Sequence, residues 1–141
     1  ERFNELKEAE NQLGVKYLGS VKLKKFNEKN IFSSIVRKRA RHVVTENDRV
    51  LKAKKSLQDN NITQFGKFMN ESHWSYSKDF EASTEDVDKI INKSIECGAL
   101  GARLTGGGFG GFTVSLLEKN NFQNWYNKII EFYPKEKIFE V

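Results

Sequence analysis

Residues Gly101 to Leu117 read GARLTGGGFGGFTVSLL, and five of the six positions from Gly106 to Gly111 are glycine. Each glycine costs roughly 0.5–1 kcal/mol inside regular structure relative to alanine. Apolar residues flank the run on both sides, so the run interrupts a region that otherwise looks packed. Either the fold needs a strained turn there, or a ligand must approach the backbone closely.

The flanking segments ALGARLT and FTVSLL are short, apolar and suited to strands. Gly106, Gly108 and Gly111 fit the pattern G-x-G-x-x-G, but a dinucleotide fold needs strand, loop, then helix, with an acidic residue about 20 positions on. A loop between two strands excludes it. A protein-kinase glycine loop does join strands, but it wants valine where Thr113 stands and later lysine, HRD and DFG motifs that the chain lacks. Two readings remain. The run is a hairpin turn using glycine for positive φ, or its N–H groups line a concavity for an anion.

Helices precede this unit. Residues 1–13 read as a polar helix closing at Gly14. A long helix is predicted from Ser33 to Leu57, with Val36, Val43, Val50 and Leu57 every seven residues and Ala40 and Leu51 widening the stripe. Asp48 and Lys52 form an i,i+4 pair on its wet side. Asn61 followed by Gln64 caps a helix carrying Ile62, Phe65 and Met69. NESHWSYSKDFEA reads as loop. Ser83 with Asp86 starts the next helix, lined by Val87, Ile90, Ile91 and Ile95 and closed by Gly98. Asn120 or Asn121 starts a last helix with Phe122, Trp125, Tyr126, Ile129 and Ile130; Pro134 ends it, and KIFEV reads as a final strand. The fold class is α+β: a small, ferredoxin-like antiparallel sheet flanked by helices.

At 141 residues the chain fits one domain, and 38% apolar with 12% aromatic residues makes it globular. A formal charge of +5 is spread over the whole chain and suits anionic partners without singling out nucleic acid. RKRARH, Arg37 to His42, lies inside an amphipathic helix without interleaved aromatics and reads as a solvated face; Arg37 and Arg41 share a side that could meet an anion or an acidic surface. His42 and His73 have no partners at metal spacing. Cys97 sits on an apolar flank and reads as packing; as the one cysteine it forms no internal disulfide, the usage of a cytoplasmic protein. No apolar run is long enough for a membrane span, and no signal peptide is seen. The chain opens on ERFNELKEAE without an initiator Met, which reads as a piece of a longer protein.

Taken together, RKRARHVVTENDRV, FGKFMNESHWS and GALGARLTGGGFGGFTVSLL resemble the galactokinases, in that order and with ordinary spacing. The likeness runs from RFNE to the final FEV, and GARLTGGGFGG is similar to the third, C-terminal glycine-rich motif of the broader GHMP small-molecule kinase family. The resemblance implies a transferase of carbohydrate metabolism that uses ATP and Mg2+ to phosphorylate the anomeric hydroxyl of galactose to galactose 1-phosphate. The sugar motif, serine-rich phosphate loop, and catalytic aspartate and arginine of such kinases lie upstream of this segment. Residues 1–141 therefore resemble the C-terminal domain alone, with no catalytic residue and no activity expected of them. The missing N-terminal domain would be the partner that binds ATP, Mg2+ and galactose.

By the same resemblance the loop of Gly106, Gly107, Gly108, Phe109, Gly110 and Gly111 packs beside the upstream phosphate loop and shapes the triphosphate pocket. Galactokinases carry a tyrosine in Y-N-E-R-R whose hydroxyl helps hold the sugar; here FNELK puts Phe3 in its place. Phe3 either keeps a substrate contact without the hydroxyl, altering sugar preference, or covers core. Phe112 is expected to face the sheet core. Other readings are a different GHMP small-molecule kinase, or a non-catalytic regulator that binds sugar and ATP.

Overall fold

Ser33 opens the longest element. Its hydroxyl accepts the Val36 N–H, and the helix it caps, α3, runs Ser34–Gln58 in a computed structural model that describes residues 1–30 and 32–141. Before it come α1, Arg2–Leu13, closed by Gly14 in the left-handed conformation, and a short α2, Leu23–Asn27. The Asn61 side chain accepts the Gln64 N–H at the start of α4, Ile62–Lys78. Thr84 caps α5, Glu85–Glu96, where Glu85, Asp86 and Asp88 complement the positive end of the helix. A hairpin of β1, Gly101–Thr105, and β2, Phe112–Leu116, precedes α6, Phe122–Ile129. The architecture is α+β, helices around a small antiparallel sheet, and among the described residues two strands make up that sheet.

The strands pair Gly101 with Leu116 through Thr105 with Phe112, so the glycine run is the loop of the hairpin. Ala102 and Leu104 are buried against Val87 and Ile91 of α5. Complete burial of an isoleucine such as Ile91 contributes about 1.5–3 kcal/mol. Helix α4 covers β1 at backbone distance. A Cβ on Gly101 would stand 2.3 Å from the Gly66 carbonyl oxygen, and one on Gly66 would stand 2.5 Å from that of Leu100. Side chains of α4 then serve the outer edge of β1: Asn70 Oδ1 accepts the Ala102 N–H at 2.8 Å, and His73 Nδ1 accepts the Leu104 N–H at 3.4 Å. A second core joins Ala9, Leu18, Phe26, Val36, Ala40 and Val44 across α1 to α3. A third packs Cys97 and Ala99 on Trp125 and Ile129, the packing role expected of Cys97.

Several expectations need correction. The NESHWSYSK stretch is helix, because its polar residues point inward to partners on α3 and β1. Thr84 rather than Ser83 caps α5, and the Ser83 hydroxyl donates to Asp88 Oδ1 instead. The expected stripe of α3 is buried only at its start: Val36 and Ala40 are core and Val43 is half-buried, while Val50, Leu51 and Leu57 are exposed; Val44, outside that stripe, is core as well. Val50 and Leu57 line an open groove of about 530 Å³ with Phe68, Val114 and Leu116. Phe112 points to solvent and not to the sheet core. KIFEV forms no strand with any of the described residues; Lys135–Lys137 is a 3-10 turn after Pro134, and Ile138 packs on the third core.

Candidate functional site

The glycine loop holds a backbone that side chains rarely allow. Gly106, Gly108, Gly110 and Gly111 have φ of +94°, +95°, +129° and +102°, and Phe109 between them has +59°. A φ that changes sign from one residue to the next, as across Gly106, Gly107 and Gly108, can bring successive N–H groups to one side, the geometry of an anion-binding concavity. A Cβ on Gly106, Gly107 or Gly110 would meet no atom within 4 Å, so these three present bare backbone to open space. The Phe109 ring is largely exposed at the tip.

Gly108 differs from its neighbours. A Cβ there would stand 2.7 Å from the Ala82 carbonyl oxygen and 2.6 Å from the Tyr76 phenol oxygen. The next amide, Phe109 N–H, donates to the same Ala82 carbonyl at 2.7 Å. Among the described residues the loop is therefore moored by one hydrogen bond, on the 79–84 connection between α4 and α5.

That connection is itself braced. Arg39 of α3, 3% exposed, donates through Nε to Glu5 Oε2 at 3.1 Å, through one terminal nitrogen to the Asp79 carbonyl at 2.6 Å, and through the other to Glu81 Oε2 at 2.6 Å. Arg2 of α1 adds a bond to the Phe80 carbonyl at 2.8 Å. From α5, Asp88 accepts the Ser83 and Ser77 hydroxyls, both at 2.6 Å. Burial pushes the Asp88 carboxyl up, but these donors and the neighbouring His73 bring it below its ordinary value. The Arg39 guanidinium holds Glu81 below its ordinary value as well.

Two histidines lie under this region. His73 accepts the Leu104 N–H on Nδ1, which leaves the proton on Nε2, 3.2 Å from Asp88 Oδ1 but off the line of a good hydrogen bond. Burial lowers its pKa. His42 pairs Nδ1 with the Ser75 hydroxyl at 3.0 Å and lies against Phe80, and burial lowers it to about 4. The RKRARH segment is thus not a simple solvated face. Arg39 and His42 are core, Arg41 pairs with Asp79, and Arg37 donates to the Lys29 carbonyl. Phe3, exposed on α1, covers no core; its ring lies under the Lys7 ammonium at 5.6 Å. The structure does not bring Phe3 and the glycine loop into contact; it links their elements through Arg2, Glu5 and Arg39.

The profile of the family described as GHMP kinases C terminal matches residues 53–135, from the end of α3 through the loop to Lys135. The chain belongs to the GHMP kinases. Within that family it is similar to the galactokinase of Clostridium acetobutylicum, 38% identical over 138 residues, covering 96% of this chain and 36% of the relative. The galactokinase of Staphylococcus saprophyticus is 35% identical over 133 residues, 92% of this chain and 34% of the relative. The crystal structure of Lactococcus lactis galactokinase complexed with galactose superposes with a TM-score of 0.83 at 33% identity, over 92% of this chain and 35% of that one. The chain thus spans about a third of the length of the curated galactokinases it matches. No helix among the described residues is long and apolar enough to cross a membrane.

Proposed function

We propose that residues 1–141 are the C-terminal domain of a galactokinase, in which an N-terminal domain supplies the catalytic residues and most ATP and galactose contacts. By itself the chain would not transfer phosphate. What supports this is a loop with positive φ at five positions and open space where a Cβ would stand at Gly107 and Gly110, in a chain similar to galactokinases over more than nine tenths of its length. A polyphosphate fits such a surface: backbone donors can approach its oxygens with no Cβ between them. Phosphoryl transfer depends mainly on positioning and charge stabilisation, which bare, fixed amides provide. ATP would supply the γ-phosphoryl group. For Mg2+ the described residues contain no grouping of three or more His, Cys, Asp or Glu side chains, and we assign it no ligand in this chain. The lone, buried Cys97 suits a reducing cytoplasm.

Gly107→Ala in the full-length protein tests this reading. Gly107 lacks a positive φ and has open space around it, so alanine leaves the fold intact and places a methyl where phosphate oxygens would come. The expected result is a fall in kcat/KM for ATP of at least roughly tenfold, about 1.4 kcal/mol of transition-state stabilisation. Unchanged ATP kinetics would return the loop to a hairpin turn. Phe3 favours a second reading of the sugar side, a kinase with broader or different sugar preference, and a sugar panel on the full-length protein separates the two.

A further inference from the structure

We infer that Arg39 and Glu81 are positioning residues for the glycine loop, acting through the residue 79–84 connection; this rests on the reading of the loop as a phosphate surface. Among the described residues, one hydrogen bond ties residues 106–111 to the chain outside the hairpin. Phe109 N–H donates to the Ala82 carbonyl at 2.7 Å, and Gly108 leaves room for that carbonyl. Where Ala82 stands therefore decides where the amides on either side of Phe109 point. Ala82 is fully buried, and its neighbour Glu81 has φ of +53°, a conformation that glutamate does not prefer. A connection held in that shape needs external bonds, and Arg39 supplies two: its guanidinium takes the Asp79 carbonyl and the Glu81 carboxylate together, both at 2.6 Å. The planar fork of arginine fits this double acceptor as a lysine cannot.

The fork's third bond, to Glu5 of α1, ties the same connection to the helix that carries Phe3. None of these groups is placed at the phosphate surface. Arg39 is buried and each of its three guanidinium nitrogens already donates to another residue, so it acts on the loop only by fixing the carbonyl that receives it.

The test uses Glu81→Asn as the mild variant, because asparagine tolerates positive φ while its shorter, neutral side chain releases Arg39. Arg39→Lys is the stronger one. In full-length protein, amide exchange of Phe109 should accelerate at least tenfold in Glu81→Asn while the Leu104 amide keeps its rate. KM for ATP should rise three- to tenfold with KM for galactose unmoved. Gly107→Ala runs in parallel. Unchanged Phe109 exchange in both variants overturns the inference and leaves the reading of the loop standing. A lower melting temperature with equal shifts in both KM values overturns it too, as general loosening. Faster Phe109 exchange with unmoved ATP kinetics, beside a silent Gly107→Ala, overturns the phosphate reading and the inference with it.

Discussion

Gly108→Ala should destabilise this chain far more than Gly107→Ala, although the two glycines are adjacent. At Gly108 the new methyl would lie 2.6 Å from the Tyr76 oxygen and 2.7 Å from the Ala82 carbonyl oxygen. The phenol can swing aside; the carbonyl belongs to a braced, buried residue and cannot. Alanine at φ +95° costs on the order of 1–3 kcal/mol by itself. Moving the loop away to relieve the overlap gives up the Phe109–Ala82 bond, about 0.5–1.5 kcal/mol. Together these give about 2–4 kcal/mol, with a floor near 1 kcal/mol if the loop peels off completely. For a chain of this size that lowers Tm by roughly 6–15 °C. Gly107→Ala, with no positive φ and no neighbour, should stay within about 0.5 kcal/mol. Thermal and urea unfolding followed by circular dichroism read both. Equal stabilities for the two variants would refute the single mooring at Ala82.

Acid should weaken the fold through His42. Its folded pKa of about 4 lies below the ordinary 6.5, so the unfolded chain takes up the proton first, and stability present above pH 6.5 is lost as pH falls toward 4. Between pH 7 and pH 5 this amounts to about 2 kcal/mol. His42→Gln should flatten that part of the urea-midpoint profile, and an identical slope in both proteins would count against it. Phe3→Ala should change the stability of this chain by less than about 0.5 kcal/mol, because the ring covers no core. In full-length protein, Phe3→Tyr should raise kcat/KM for galactose roughly two- to tenfold through one added hydrogen bond. No response of sugar kinetics to either change removes Phe3 from the site.

What could be read in the chain was mostly local chemistry. Ser33, Asn61 and Gly14 mark helix ends by bonds that reach three or four residues, and all three stand where expected. The hairpin followed from two short apolar runs around glycine. NESHWSYSK has the polarity of a loop but is helix, because several of its polar side chains are buried against partners and not exposed. Asn70, His73 and Tyr76 recur at helical spacing, and the first two point inward to the β1 amides. That periodicity was the available signal. Arg39 could not have been singled out from RKRARH, since its acceptors lie 34 to 42 residues away. KIFEV has a strand-like composition, but among the described residues no strand lies beside it to pair with. A strand depends on its partner for its bonds, as a helix does not.

The bonds from Asn70 and His73 to β1 also determine how the hairpin can be extended. An added strand must dock onto free amides and carbonyls. On the β1 side, α4 stands in that position and has already claimed the Ala102 and Leu104 amides. On the β2 side, no described strand occupies the far edge. Growth of the sheet is therefore one-directional. Any further strand, from the same polypeptide or another molecule, joins beside Thr113 and Ser115, and crowding of this chain at high concentration would propagate from that border alone.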